Sequence, residues 1–292
     1  METTGYPEKA MISIIVPCFN SERFIDRTLT ALLREADDIN DVEIILVDNN
    51  STDSTPLKLQ KYANEYKQIK FVRCTKGQGV NIARNEGVNS SCGNFLLFTD
   101  HDDEVLPGWL AAYRTAFLNN ARLVTGSYYV MTSEKRLISS QQQPVSLLWN
   151  LPWGLGSNSG IARSDFVAIR GFDESWQGGG DDADFFWRAQ LSGLPLTFVN
   201  EARLIHYTRE SNKNTAKQYF DYGRSNVQLY LRFRDYGMPR SSTFRSFLVF
   251  VISAFDFILS PFKIGSTERS VQRLATHSGR LVESLRLRTI YL

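Results

Sequence analysis

The sequence predicts an α/β protein with a doubly wound, mostly parallel sheet flanked by helices, followed by a helical C-terminal extension. Three observations carry this. From Met11 to Thr99, short β-branched apolar runs alternate with stretches of helical periodicity. Polar clusters follow these runs at Asn20, at Asp48 to Asp53 and at Asp100 to Asp103, and open sheets of this class bind ligands beyond the carboxyl ends of their strands. Near Pro239 the composition shifts to a basic, aromatic tail.

Met11 to Pro17 is a β-branched run closed by proline, a buried parallel strand. Ser21 to Arg34 follows with Phe24, Ile25, Leu29, Leu32 and Leu33 on one helical face, and Ser21 is placed to cap it. Val42 to Val47 is the second strand and Pro56 to Tyr66 a helix. Ile69 to Cys74 is the third strand. Val80 to Ser90 is a helix behind Gly77 and Gly79, and Asn94 to Thr99 is a fourth strand running into Asp100. Beyond Pro107 the pattern gives a helix over Trp109 to Asn119, a strand over Leu123 to Met131 and a polar loop from Ser133 to Pro144. A Gly-, Trp- and Ser-rich stretch covers Leu151 to Gly160. A helix over Asp181 to Ser192 leads to a short strand, Leu196 to Val199, then a turn toward His206 and a helix over Asn212 to Tyr236.

The 292 residues are 42% hydrophobic and 22% charged, enough to bury a full core and to exclude intrinsic disorder. The net charge of +2 gives no reason to expect a nucleic-acid partner, but the charge is unevenly spread. From Arg240 onward eight basic residues face three acids, so that tail is +5 and the remainder −3. A basic end on a mildly acidic body points to an anionic surface. Cys18, Cys74 and Cys92 have no metal-ligand spacing and read as reduced, mostly buried residues of a cytosolic protein. Met1 to Lys9 is polar and reads as no signal peptide. The longest apolar run, Phe247 to Leu259, is broken by Asp256 and falls short of the ~20 residues that span a bilayer.

Several constellations carry chemistry. Three carboxylates in Asp100-His101-Asp102-Asp103, straight after a buried strand, need a positive partner. Mg²⁺ or Mn²⁺ bound to phosphate oxygens supplies one, with only one or two protein carboxylates as ligands. The alternative is a solvated acidic loop, and Asp103 reads as a solvated neighbour in either case. Asp48, ending the second strand, can accept hydrogen bonds from a base or ribose, whereas Asp53 reads as a cap for the helix at Pro56. Gly178-Gly179-Gly180 lets the backbone approach a ligand and can act as a hinge. The acids Asp181, Asp182 and Asp184 then open a helix, where N-capping accounts for Asp181 and Asp184 and a general base is the other reading. His206 is a candidate metal ligand or a structural imidazole. Lys76 and Arg84 flank a glycine loop and can contact a diphosphate.

The order of these pieces is specific. Ile15-Val16-Pro17-Cys18-Phe19-Asn20, Val47 to Asp53, Ala83-Arg84-Asn85-Glu86-Gly87 and Asp100-His101-Asp102-Asp103 together resemble glycosyltransferase family 2 with its GT-A fold. Gly156 to Arg163 and Gly171-Phe172-Asp173-Glu174 resemble that family's acceptor-side segment, Gly180-Asp181-Asp182-Ala183-Asp184 its G-E-D-x-D motif, and Ile205-His206 its late histidine. The resemblance covers Met11 to Tyr207. It implies that Pro17, Asp48, Arg84 and Asp100 bind the nucleotide-sugar, that Asp102 and His206 bind Mn²⁺ or Mg²⁺, and that Asp182 is the catalytic base. Trp153, Trp176 and Asp181 are candidates on the acceptor side, together with Gln177. Two departures stand out: Asp181 replaces the family's Glu with a shorter reach, and His101 is a polar middle residue for D-x-D. The Q-x-x-R-W segment of processive synthases has no counterpart, since the candidates starting at Gln218 and Gln228 lack the Trp.

The implied activity is metal-dependent, inverting, single transfer of a sugar to a hydroxyl of a glycan or lipid-linked acceptor, as in polysaccharide biosynthesis. A non-catalytic nucleotide-sugar binder and a sugar nucleotidyltransferase are the competing readings. The latter is disfavoured by Pro17-Cys18-Phe19-Asn20, where a Gly-rich basic loop would stand. The expected organisation is a catalytic domain over residues 1–239 and a basic, amphipathic helical tail over 240–292. In that tail Phe244, Phe247, Leu248, Phe250, Val251, Phe255 and Phe257 to Leu259 suit either an anionic membrane or packing on the core. The expected location is cytoplasmic, or peripheral on the inner face of the plasma membrane.

Overall fold

The computed structural model describes residues 11–36, 41–176, 178–208, 212–241, 248–253 and 267–291. The chain forms two compact units. The first comprises Met1–Val145, Pro152–Glu174 and Phe185–Arg209, and the second Ser146–Leu151, Ser175–Asp184 and Glu210–Leu292. The expected boundary near Pro239 falls inside the second unit.

A nine-stranded sheet organises the first unit. Its strands are β1 (Ile12–Cys18), β2 (Val42–Asp48), β3 (Ile69–Arg73), β4 (Phe95–Phe98), β5 (Glu104–Val105), β6 (Leu123–Met131), β7 (Leu137–Gln141), β8 (Ser159–Ala162) and β9 (Leu196–Tyr207). They lie in the order β3-β2-β1-β4-β8-β6-β9-β5, with β7 paired to β6. The first four are parallel. β8 then enters antiparallel between β4 and β6, while β6 and β9 are parallel. The helices are α1 (Ile25–Glu35), α2 (Thr55–Glu65), α3 (Val80–Asn89), α4 (Trp109–Leu118), α5 (Arg163–Ala168) and α6 (Asp181–Leu191).

The period of two along each strand builds a core on both faces. Ile12, Ile14 and Val16 pack with Ile25, Leu29 and Leu32 of α1 and Trp109, Tyr113 and Phe117 of α4. Ile15, Ile45, Val47, Leu96 and Phe98 pack on the other face with Ala83, Phe166, Phe172, Phe185 and Phe186.

Four local expectations change. Ser21 does not cap α1 with its side chain. Its carbonyl accepts the Phe24 and Ile25 N–H groups at 2.9 and 3.0 Å, and the helix starts at Ile25. The polar stretch expected as a loop contains β7, whose residues 137–140 are all exposed and show no apolar alternation. β9 runs on to Tyr207 because its register with β6 shifts between Gly126 and Ser127. The shift passes over Asn200 to Ala202 and resumes pairing at Arg203. Cys18 and Cys74 are buried as expected, but Cys92 is exposed.

In the second unit α7 (Asn212–Phe233) packs against α8 (Thr267–Arg286). Glycines set the contact: a Cβ on Gly223 would lie 2.0 Å from the Thr276 carbonyl oxygen, and one on Gly279 2.0 Å from that of Phe220. The two backbones therefore touch where only glycine fits. Nearby, fully buried Glu283 accepts hydrogen bonds from Arg224 Nε at 3.0 Å, Gln228 Nε2 at 2.6 Å and Arg286 Nε at 3.0 Å. The tail is helical at 248–253 and along α8. Leu248 and Phe250 are exposed there, whereas Phe244, Phe247, Phe255 and Phe257 to Leu259 lie outside the described residues. Among the described residues no helix is long and apolar enough to cross a membrane.

Candidate active site

The buried strand β4 delivers Asp100 to Asp103 onto the carboxyl-terminal edge of the parallel block. α1 holds this loop by its backbone. Thr28 Oγ1 lies 2.8 Å from the His101 carbonyl and 2.7 Å from that of Asp103, and donates its single proton between them. Arg27 Nη2 donates to the Asp102 carbonyl at 2.7 Å, and its guanidinium stacks 3.7 Å over the ring of Tyr207, next to His206 on β9. His101 Nδ1 donates to the Pro17 carbonyl at 3.0 Å, so the middle residue of D-x-D fastens the loop to β1.

Asp103 corrects the sequence reading. It is fully buried, not solvated, and accepts hydrogen bonds from Ser157 Oγ at 2.6 Å and His206 Nδ1 at 2.7 Å. Burial raises its pKa against the lowering effect of His206. Burial lowers that of His206, but the hydrogen bond and charge of Asp103, with the charges of Asp102 and Asp100, outweigh it and raise the value to about 9. The segment Gly156–Asn158, expected on the acceptor side, supports this pair. Beside Ser157, buried Asn158 accepts from Trp109 Nε1 at 2.7 Å and donates to the Ser127 and Ala202 carbonyls at 2.8 and 3.0 Å.

The donor set fits a divalent cation. With Nδ1 fixed by a buried carboxylate, His206 has only Nε2 to offer, the arrangement in which a carboxylate orients a ligating imidazole. Asp102 is 6% exposed in the same cluster, and its charge reaches His206. Among the described residues no three His, Cys, Asp or Glu side chains form a complete cage. Mg²⁺ and Mn²⁺ suit such a partial set, completed by phosphate oxygens and water.

The nucleotide-side candidates lie around the ends of β1 and β2. Asp48 is 2% exposed, accepts the Ser51 N–H at 3.2 Å and has Arg73 Nε 3.9 Å away. Asn49 was not singled out in the sequence, yet it shapes the glycine loop: its side chain donates to Gly77 O and accepts from Gly79 N, both at 2.7 Å. Arg84 is buried, donates to Asp100 Oδ1 at 3.0 Å and lies 5.1 Å over Phe172. Lys76 pairs with Glu86 at 2.6 Å. Asp53 performs the capping turn expected of it, accepting the Thr55 N–H at 2.9 Å.

Residues 13–174, more than half of the chain, match the family model described as Glycosyl transferase family 2. The chain belongs to glycosyltransferase family 2. Among its relatives is the GalNAc(5)-diNAcBac-PP-undecaprenol beta-1,3-glucosyltransferase of Campylobacter jejuni, 35% identical over 101 residues, which are 34% of this chain and 32% of that protein. The chain spans about a third of the length of the first curated relatives it matches. Two solved structures share the fold at 16% identity. The mannosyltransferase PcManGT of Pyrobaculum calidifontis, in complex with GDP-Man and Mn²⁺, has a TM-score of 0.63 over 95% of this chain and 76% of that one. Staphylococcus aureus TarS 1–349, in complex with UDP-GlcNAc, has a TM-score of 0.58 over 97% and 93%. The GT-A expectation for the fold is thereby met.

The candidates that follow the glycine triplet, Asp181, Asp182 and Asp184, belong to the second unit. Asp181 and Asp182 are half-buried in the first turn of α6. Asp184 was read as an N-cap, but it is fully buried and pairs with Arg232 Nε at 3.0 Å. The preceding glycines do not form an open hinge. Gly178, Gly179 and Gly180 have φ of +84°, +112° and +83°, and a Cβ on Gly179 would lie 2.6 Å from the Tyr222 ring of α7. Trp176 is half-buried in the same unit, and its indole N–H has no hydrogen-bond partner among the described residues. Trp153 belongs to the first unit, where it packs edge-on against Trp187 with ring centroids 5.5 Å apart. Gln177 lies outside the described residues.

Proposed function

We propose that the chain transfers one sugar at a time from a nucleotide-sugar donor to a hydroxyl of a glycan or lipid-linked acceptor, with inversion and with Mn²⁺ or Mg²⁺ as cofactor. The observation that carries this reading is the bond between fully buried Asp103 and half-buried His206, beside Asp102 and Asp100 at the end of β4 in a family 2 chain. A carboxylate cluster this deep is costly unless it serves positive charge or a ligand.

In this reading Pro17 and Asp48 contact the nucleoside, and Arg84 holds Asp100 toward the ribose and diphosphate. Asp102 and His206 Nε2 hold the cation, which when bound supplies positive charge against the charge developing on the diphosphate leaving group. Asp182 takes the proton of the acceptor hydroxyl as general base. Asp181, Trp153 and Trp176 shape the acceptor side. The exposed Leu248 and Phe250 and the basic tail support a peripheral position on the inner face of the plasma membrane, with the enzyme in the cytoplasm.

The test is transfer by the purified chain, with nucleotide-sugars chosen by a thermal-shift screen in Mn²⁺. Asp102→Ala and Asp182→Ala should each lower turnover by about 10²-fold or more. Unchanged turnover in both variants removes the mechanism, and tight donor binding with no transfer across a broad acceptor panel turns the reading to a non-catalytic binder.

A further inference from the structure

One face of α8 carries a feature to which the proposed function assigns no role. Arg269, Arg273, Thr276, His277 and Arg280 follow at spacings of four, three, one and three residues, which places them on one helical stripe. With Tyr219 of α7 they line a cavity of about 370 Å³ inside the second unit, at the small end of ligand pockets. Three guanidiniums thus share a single concavity. Among the described residues none of them forms an ion pair with a carboxylate, and two acids of the same helices are engaged elsewhere. Asp221 is held by Lys217 at 2.7 Å, and Glu283 by Arg224, Gln228 and Arg286.

The innermost cation is oriented before any ligand arrives. Arg280 is half-buried, with its guanidinium 5.6 Å from the centre of the Tyr291 ring. With the Asn226 amide turned so that its oxygen faces Arg280, that oxygen accepts from Nη2 at 3.0 Å and Nε at 3.3 Å. The backbone contact at Gly223 and Gly279 fixes the two walls. Burial, and then the charge of Arg280, push the pKa of His277 below its ordinary value, so a further positive charge at that position is disfavoured. Three guanidiniums lining one cavity suit a compact anion with several acceptor oxygens, which guanidinium forks bind bidentately. A carboxylate has two such oxygens, whereas a phosphate ester or diphosphate has enough to engage three arginines.

We infer that the Arg269–Arg273–Arg280 cavity between α7 and α8 is a binding site for a phosphate-bearing ligand, separate from the Asp100–Asp103 loop. Its chemistry fits both a lipid headgroup and a free phosphate compound, and it holds whether or not the chain transfers sugar.

The test uses the full chain in EDTA, which removes divalent metal from the Asp102–His206 site. The probes are inorganic pyrophosphate, followed by calorimetry, and vesicles of phosphatidylglycerol or of phosphatidylcholine alone, followed by co-sedimentation. The variants are R269Q/R273Q, two exposed positions whose loss leaves the helix contact intact, and R269K/R273K, which keeps the charge. The expected result is binding of at least one anionic probe, weakened about tenfold or more in R269Q/R273Q, largely kept in R269K/R273K, and reduced by salt. Loss of phosphatidylglycerol binding in R269Q/R273Q assigns a lipid headgroup, and pyrophosphate binding without vesicle binding assigns a free phosphate compound. Failure of the wild type to bind either probe overturns the inference. So does binding that survives in R269Q/R273Q, which would place the anion elsewhere on the chain. An unchanged melting temperature in the variants separates loss of ligand from loss of fold.

Discussion

Thr28→Val should loosen the Asp100–Asp103 loop without touching any charged group. Thr28 is 1% exposed, and its hydroxyl is shared between the carbonyls of His101 at 2.8 Å and Asp103 at 2.7 Å. Valine keeps the shape and removes the donor. One hydroxyl proton satisfies about one acceptor at a time, so the loss is about one buried hydrogen bond plus partial desolvation of the second carbonyl, roughly 1–3 kcal/mol. In a unit of this size that corresponds to a fall of about 2–4 °C in melting temperature per kcal/mol. Thr28→Ser keeps the donor and loses one methyl, for about 1 kcal/mol. The assay is thermal unfolding of the three proteins, paired with donor turnover. Turnover should fall in Thr28→Val and hold in Thr28→Ser, because the carbonyls that position Asp102 and Asp103 lose their anchor only in the first. If valine melts within about 0.3 kcal/mol of wild type, or if serine loses as much turnover as valine, the hydroxyl does not hold the loop and the reasoning fails.

Asp103→Asn should move the His206 pKa from about 9 toward its ordinary value near 6.5, read by NMR titration of the imidazole, and an unmoved titration would sever the pair. In the metal-free protein the raised His206 pKa gives stability that is fully present below about 6.5 and is lost as pH rises through about 9. With His206 as the proposed ligand, Mn²⁺ would need the neutral ring, so its apparent affinity should climb about tenfold per pH unit from neutrality to about 9 and then level off. Burial alone would raise the pKa of Glu283, but its hydrogen bonds from Arg286, Gln228 and Arg224 lower it to about 2. Its contribution is present above the ordinary 4.5 and should fade as pH falls through 2, and Glu283→Ala should cost about 2 kcal/mol by denaturant unfolding. That is below the ~3–5 of a fully buried pair, because Arg224 and Arg286 keep contact with water. Gly279→Ala places a methyl 2.0 Å from the Phe220 carbonyl oxygen, so α7 and α8 must part, and the variant should lose about 2 kcal/mol or more. A melt identical to wild type would show that the helices do not cross there.

The parallel half of the sheet was legible because its strands are continuous apolar runs, a pattern that burial on both faces imposes. The location of the candidate site follows from the same pattern, since Asp48 and Asp100 stand at the ends of such runs. The roles within the acidic cluster do not. Asp100, Asp102 and Asp103 are chemically alike on paper. What separates Asp103 is burial against Ser157 and His206, 54 and 103 residues further on. β7 escaped because an exposed edge strand needs no apolar alternation, and the length of β9 because its register shift with β6 sets Asn200 to Ala202 in the middle of the run. The glycine triplet reads as a hinge from composition alone. Only the ring of Tyr222 on α7, more than forty residues later, shows what the missing side chains make room for.

The Asp103–His206 bond also dictates an order of assembly. Asp103 sits at the end of the fourth strand to be synthesised, but its partner arrives on the ninth. Until β9 has docked beside β6, a carboxylate destined for the interior has neither its imidazole nor the wall that dries it, so the loop after β4 must stay wet during synthesis. Closing that bond spans about a third of the chain, a long-range step of the kind that slows folding. A nascent or truncated chain that stops before His206 would therefore keep its first four strands but not a finished Asp100–Asp103 loop. The Asp100–Asp103 loop is completed by nearly the last residue of the first unit.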